Sequence, residues 1–371
     1  MARIQWKIWE LPWRLKRIMV MFISWIKLLH LTLYYNHFTS FSVALETSLE
    51  PIFWFVDKFA KYLGPIFMTM VIFLTTSVVA IFYTCLLPHV YAQSTSRTIF
   101  HLVFGHWLLI NIVFNYIMAA FTNPGTPPME VPETVSICRK CISPKPPRTH
   151  HCSVCDRCIL KMDHHCPWLN NCVGFYTHRF FFLFCCYMFI GALYVSFTGY
   201  DVFIEHFYGK TPYPFPAVLY PLNLAYDVIN KTLSTTPTAQ NNYNLEVSHE
   251  HQNYHLAVIF EFLVCSAVAI AILGLILWHF RMISRGETNI EIHINKKERE
   301  RLRKQGIAFR NPYDFGFIEN WRIFFGIEKE PAGCNRSFIR HILFPSSHPP
   351  TGDGLTWPHE IYRGEKLLQL L

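Results

Sequence analysis

Four long apolar stretches dominate the hydropathy pattern: residues 66–87, 99–121, 180 to about 200, and 256–280. Each is long enough to cross the roughly 30 Å hydrocarbon core of a bilayer, which takes about 20 apolar residues in an α-helix. Each is therefore predicted as a membrane-spanning helix. The first is uncharged and ends at Pro88; the second is also uncharged but contains His101, His106, Asn111 and Asn115. The third is very aromatic and stops short of Asp201, and the fourth is interrupted only by Glu261 near its start. Asn111 and Asn115 share a helix face, where they either bond between helices or line a polar cavity. Cys185 and Cys186 in the third span read as small packing residues.

The segments between these stretches set the topology. Residues 1–35 are basic and aromatic, then apolar from position 18 with Lys27 and His30 interrupting. A central lysine costs about 2.5–3.5 kcal/mol on insertion scales, so this part is predicted as an interfacial helix. Residues 50–62 form a short amphipathic run with five aromatics, suited to a helix on the membrane surface. Thr122-Asn123-Pro124-Gly125 breaks the second span as it emerges. A polar loop, 201–255, separates the last two spans, and a basic segment with Arg281, Arg285, Lys296, Lys297, Arg299, Arg301, Arg303 and Lys304 follows the fourth.

That basic segment marks the cytosolic side. The loops 88–98 and 201–255 hold only Arg97, Lys210 and Lys231 as basic residues, and the longer one carries the glycosylation acceptor Asn230-Lys231-Thr232, as a lumenal loop would. The predicted organisation is an interfacial or cytosolic region 1–65, spans one and two in 66–122, a cytosolic cysteine-rich domain 123–179, spans three and four in 180–280, and a cytosolic region 281–371. No internal repeat or low-complexity tract is visible.

Composition agrees. With 51% hydrophobic residues, the chain is too apolar for an ordinary soluble enzyme of its size. Its net charge of +8 is accounted for by the residues flanking the spans, so no nucleic-acid partner is needed. The basic start is not followed by a small-residue cleavage site, so no cleavable signal peptide is expected.

The chemistry concentrates between Cys138 and Cys172, which read C-x2-C-x9-H-C-x2-C-x2-C-x4-D-H-H-C-x5-C and hold seven of the twelve cysteines. Two tetrahedral zinc sites need eight ligands. All seven cysteines and one histidine would supply them, leaving no free thiol; six cysteines and two histidines would also supply them, leaving one thiol for chemistry. Asp163-His164-His165-Cys166 favours the second count, because an acid and a base immediately precede a thiol. In extended backbone adjacent side chains point to opposite faces, so one histidine can bind zinc while the other turns toward Cys166 and draws off its proton. The spacing alone leaves open which histidine does which.

This block, followed by Pro167-Trp168-Leu169-Asn170-Asn171-Cys172-Val173-Gly174, resembles the DHHC cysteine-rich domain of protein S-acyltransferases. The resemblance covers most of the chain. It implies an all-α integral membrane protein of four spans, with a small cytosolic two-zinc domain between spans two and three. By position it implies that Cys138, Cys141, His151 and Cys158 hold one structural Zn2+ and Cys152, Cys155, His165 and Cys172 the other. Cys166 would accept an acyl group from palmitoyl-CoA, with His164 as general base, Asp163 as orienting acid and Trp168 at the mouth of an acyl cavity. His150 would lie outside both sets as an exposed polar residue.

Two flanking motifs depart from the family pattern: Asn123-Pro124-Gly125 stands where Asp-Pro-Gly is usual, and Thr288-Asn289-Ile290-Glu291 where Thr-Thr-x-Glu is usual. Asn311-Pro312-Tyr313-Asp314 with Asn320-Trp321 resembles the family's C-terminal motif, which packs back on the membrane domain. Segments 283–288, 293–299 and Pro345-Ser346-Ser347-His348 are similar to the Abl-philin branch. The resemblance implies cytosolic-facing protein substrates with membrane-proximal cysteines, a multi-pass protein of the endoplasmic reticulum or Golgi, and a two-step reaction through an acyl-enzyme. The competing reading, a non-catalytic zinc-built membrane scaffold, accounts for the ligands but not for Asp163 and His164 beside a spare thiol. A cation transporter is disfavoured, since the spans hold no acidic residue near mid-membrane.

Overall fold

In hydrocarbon, backbone polar groups must be satisfied within the segment, so long apolar runs become long helices. The computed structural model describes residues 11–35, 41–208, 249–327 and 336–357. The tip of the long loop with Asn230, the first ten residues and the last fourteen lie outside the described residues. The chain divides into two units, Met1–Tyr62 and Leu63–Leu371. The first holds α1 (Leu11–Tyr35) and the opening of α2 (Phe41–Ile81).

Among the described residues, four helical stretches are long and apolar enough to cross a membrane: Lys61–Gln93, Thr95–Phe121, His178–Phe207 and Tyr254–Ser284. They belong to α2 with α3 (Leu87–Gln93), to α4 (Thr95–Phe121), to α5 (His178–Tyr208) and to α6 (His249–Ser284). All overrun the apolar stretches that predict them. The amphipathic run 50–62 is not a separate surface helix; it is the first part of α2, which continues without a break through Gly64 and Pro65. Nor does the first span end at Pro88. A π-helical turn at Phe82–Leu86 widens the backbone so that Leu87 donates to Phe82, and Pro88 follows as the second residue of α3, where the shifted hydrogen-bond ladder takes up its missing N–H. The connection expected over 88–98 shrinks to one extended residue, Ser94.

The cysteine-rich domain is three two-stranded antiparallel hairpins: β1 (Ser136–Cys138) with β2 (Ser143–Lys145), β3 (His150–Cys152) with β4 (Arg157–Ile159), and β5 (His164–Cys166) with β6 (Asn171–Val173). Their registers match at a spacing of fourteen residues: Cys138 faces Ser143, Cys152 faces Arg157 and Cys166 faces Asn171. Each turn closes on a left-handed residue at the equivalent place, Ile142, Asp156 and Asn170. The chain therefore contains an internal repeat, which the sequence hides because little but the cysteine and histidine positions is shared between the copies.

The third hairpin is fixed to the membrane helices. Asn171 donates from Nδ2 to the Ala119 and Thr122 carbonyls at the end of α4, at 3.1 and 2.8 Å, which would otherwise lack partners. A Cβ on Gly64 would come within 2.1 Å of Asn170 Oδ1, so glycine here is a matter of close approach. One core cluster then runs from Leu108, Tyr116, Phe181 and Phe184 in the spans to Cys166 and Leu169 in the hairpin.

After α6 the chain turns at Gly286 (φ +64) into α7 (Asn289–Lys304), opened by a capping box in which Thr288 and Glu291 each bond the other's backbone N–H. The C-terminal motif packs back as expected: Asn320 and Trp321 of α8 (Phe317–Phe325) donate to the Ser284 carbonyl and hydroxyl at 3.0 and 3.1 Å. Next, α9 (Arg336–Leu343) lies against the membrane helices, where the Leu343 carbonyl accepts from Trp107 Nε1 at 2.9 Å and from Asn111, and the Ile342 carbonyl from the Tyr187 hydroxyl. Asn111 and Asn115 otherwise bond backward to carbonyls of their own helix.

Candidate active site

In the first two hairpins the two-residue gap between cysteines is a tight turn, in which Cys141 N–H donates to Cys138 Sγ at 3.4 Å and Cys155 N–H to Cys152 Sγ at 3.3 Å. These turns gather two compact sets, Cys138, Cys141, His151, Cys158 and Cys152, Cys155, His165, Cys172, with the donor atoms of each within 4.8 Å of one another. Tetrahedral Zn–S bonds of about 2.3 Å place two sulfurs about 3.8 Å apart. Cys158 and Cys141 Sγ are 3.8 Å apart, Cys155 and Cys172 Sγ 3.5 Å. Nδ1 of His165 lies 3.8, 3.4 and 3.5 Å from the sulfurs of Cys152, Cys155 and Cys172. Both sets fit a tetrahedral ion held by three sulfurs and one Nδ1. Asp156 Oδ1 lies 3.5 Å from His151 Nε2 without a hydrogen bond between them.

The fourteen-residue repeat explains why one thiol is spare. Cys166 stands where Cys138 and Cys152 stand, but its turn partner is Leu169, and the place of His151 and His165 falls at Arg179. The third copy thus lacks a ligand set of its own. Alternation along β5 sends His165 to the second metal set, while His164 shares a face with Cys166.

His164 Nδ1 lies 2.6 Å from Asp163 Oδ2, and Asp163 Oδ1 accepts the Asn289 N–H at 2.9 Å. Burial works against the Asp163 carboxylate, but the hydrogen bond from His164 and the imidazoles of His178 and His279 outweigh it and hold the carboxyl well below the usual range. Burial likewise opposes a charged His164; the bond to Asp163 and the sulfur of Cys166 prevail and lift it to about 9.

Cys166, His164 and Trp168 line one end of an apolar cavity of about 640 Å3 enclosed by the four spans. Its volume is within the roughly 300–1,000 Å3 usual for small-molecule sites. At the far end His101 Nδ1 meets the Tyr194 hydroxyl at 2.7 Å. Trp168 packs on Phe67 with ring centroids 4.7 Å apart, and its carbonyl accepts from the Tyr116 hydroxyl at 3.0 Å.

A family profile described as DHHC palmitoyltransferase matches residues 132–296. The chain is 42% identical over 364 residues to the zebrafish (Danio rerio) protein named palmitoyltransferase ZDHHC16A, covering 94% of this chain and 91% of that protein. To the human protein named palmitoyltransferase ZDHHC16 it is 44% identical over 334 residues, 88% of this chain and 83% of the relative. The chain belongs to the DHHC palmitoyltransferase family. It is a protein S-palmitoyltransferase, and its similarity to these relatives places it in the Abl-philin branch. A more distant relative, mouse palmitoyltransferase ZDHHC20, is 28% identical over 271 residues, 63% of this chain.

In this palmitoyltransferase the structure brings together every residue singled out from the sequence as ligand, nucleophile, base or acid. His150 is half-buried instead of exposed, because it sits inside the β3–β4 ladder opposite Ile159. The two departures from the family motifs are accommodated: Asn123 Oδ1 accepts the Gly125 N–H at 3.1 Å, and position 289 meets Asp163 through its backbone, so its side chain does not enter that bond.

Sequence reasoning missed two groups. Arg148 forms a buried two-pronged ion pair with Glu291, at 2.6 and 2.7 Å, and its guanidinium carbon lies 4.5 Å from the ring centres of both Tyr313 and Trp357. His178 and His279 close on Asp163 and His164 from α5 and α6. An imidazole inside an apolar span is a signal that could have singled out His279.

Proposed function

We propose that the enzyme works through an acyl-enzyme on Cys166, with palmitoyl-CoA as acyl donor. The observation that carries this reading is the apolar cavity that opens at Cys166 and His164. It offers a lipid-like environment to a chain whose thioester must stop at the sulfur, and each buried methylene contributes about 0.8 kcal/mol. Trp168 stands at the mouth, and basic residues of the cytosolic face meet the CoA phosphates.

Cys138, Cys141, His151 and Cys158 hold one Zn2+, and Cys152, Cys155, His165 and Cys172 the other. The ions supply rigidity to a domain with almost no apolar core of its own. The Cys166 proton passes to the free ring nitrogen of His164, which Asp163 orients through the other. Sγ attacks the thioester carbonyl, the bond to the CoA sulfur breaks, and His164 returns the proton to the leaving thiolate. In the second half the thiol of a protein substrate gives its proton to His164 and attacks the acyl group, releasing Cys166. One thioester replaces another, so positioning and thiolate supply dominate the rate.

The cysteine-rich domain and both termini face the cytosol, where substrates present membrane-proximal cysteines, with the domain boundaries given by the sequence pattern. The endoplasmic reticulum membrane is the assigned location, on the resemblance to the Abl-philin branch. Intact mass after exposure to palmitoyl-CoA tests the mechanism. One hydroxylamine-labile palmitoyl adduct is expected on the wild type and none on Cys166→Ala. An adduct that persists on the variant, or none on folded, zinc-loaded wild type, would overturn it.

A further inference from the structure

Two helices, α5 and α6, meet behind the acid–base pair, and only part of what they bring is used by the reaction as described. A ring nitrogen of His279, on α6, lies within 4.8 Å of a carboxylate oxygen of Asp163 and a nitrogen of His164. Behind it, His178 Nε2 of α5 is 3.4 Å from His279 Nδ1. Both imidazoles are 2% exposed. Burying two such polar rings costs free energy that an apolar pair filling the same space would avoid, so packing alone is a poor reason for them.

Two rings flank His164. Phe181 meets it edge-to-face, with centroids 5.2 Å apart and planes at 74°, and His279 lies tilted against it at 5.9 Å. Phe181 and His279 in turn meet edge-to-face at 5.1 Å, so the two close on each other as well as on His164. Asp163 holds His164 by a single bond at Nδ1, about which the ring could still swing. A ring nitrogen of His279 close to both the Asp163 carboxylate and His164 is a polar neighbour that favours one setting of the ring, and His178 holds His279 in turn.

We propose that His279, backed by His178, is a positioning residue for acyl transfer: it fixes the ring of His164 against Asp163 so that the other nitrogen stays on Cys166. The proposal rests on the reading of Cys166 and His164 given above. Its consequence is that the acid–base pair is assembled jointly by the zinc domain and the last membrane-spanning helix.

A double-mutant cycle on the full-length protein in detergent or nanodiscs tests it. The readout is the rate of covalent loading by palmitoyl-CoA, with zinc content and melting temperature measured on each variant. His279→Phe, which keeps an aromatic ring without its nitrogens, is expected to slow loading by on the order of 10- to 100-fold, the cost of a misplacement of about 1 Å. The KM for palmitoyl-CoA and the two zinc equivalents should be unchanged, and His279→Asn should recover part of the rate.

In a His164→Ala background, His279→Phe should cost nothing further, since residues that act through one another are non-additive. A full additional loss in that background, wild-type loading by His279→Phe, or loss of zinc and fold in both His279 variants would overturn the proposal. Failure of the wild type to load on Cys166 would instead remove the reading beneath it.

Discussion

Replacing Glu291 by Gln should unfasten the junction between the zinc domain and the last span. The Arg148 and Glu291 side chains are 5% and 8% exposed, and their two hydrogen bonds at 2.6 and 2.7 Å exclude water. Glu291→Gln leaves the buried guanidinium without its counter-charge, held only by the Gly286 carbonyl and at most one amide oxygen, and turns an amide N–H toward its donors. Stranding one member of a buried pair costs about 3–5 kcal/mol, and 4 kcal/mol is a factor of nearly 1,000 in an equilibrium constant. Thr288 N–H and Arg148 Nη2 share Glu291 Oε2, so a glutamine, with one acceptor oxygen, keeps the capping box only by giving up bonds to Arg148, and the start of α7, where the Asn289 N–H meets Asp163, is loosened. Stability should therefore fall together with the rate of Cys166 loading.

Denaturation of the detergent-solubilised protein followed by near-UV circular dichroism, alongside loading rates, measures both effects. Arg148→Met should cost a similar amount, and the double variant should cost less than the sum, because no charge is stranded. A loss below about 1 kcal/mol for Glu291→Gln, or simple additivity in the double variant, would refute the reasoning.

Cys152→Ser should lower zinc from two equivalents to one and reduce the yield of folded protein; two retained equivalents by elemental analysis would count against the ligand set. Gly191 lines the cavity where a Cβ would stand 3.0 Å from Ile112 Cδ1, so Gly191→Leu should shift loading toward shorter acyl-CoA, by about fourfold for each methylene excluded at about 0.8 kcal/mol. A competition between 14- and 16-carbon donors reads this out. The pairing of His164 with Asp163 raises the histidine to about 9. It thus contributes stability in full below the ordinary histidine value of about 6.5, and that contribution is lost as pH rises through 9. The melting-temperature advantage of wild type over His164→Gln should be large at pH 6 and gone by pH 10.

What the sequence made legible were features carried by neighbouring residues. Four spans follow from long apolar runs, and the presence of two metal sites from cysteine pairs with two residues between them, while the division of the ligands between the sites came from the family resemblance. The separation of His164 from His165 follows from the alternation of an extended strand. Helix ends were legible only in part, because a helix outlasts its apolar run wherever capping and packing support it. Asp201 falls inside α5, and Pro88 is absorbed by the π-helical turn. The groups that hold the site from behind were not legible. His178 and His279 are 101 residues apart, and Arg148 and Glu291 are 143 apart. Nothing local to either member of such a pair names its partner.

The seat of α9 bears on how the molecule is made. The carbonyls of Ile342 and Leu343 meet Tyr187, Trp107 and Asn111 well inside the spans. Arg179, at the head of α5, donates to the Ser346 and His348 carbonyls at 3.2 and 2.7 Å. All these donors are synthesised and inserted long before their acceptors leave the ribosome. The membrane bundle therefore waits for the last part of the chain to complete it. A stop codon after residue 335 would spare every residue of the reaction centre and still yield an unfinished protein, exposed to quality control in the membrane where it was made.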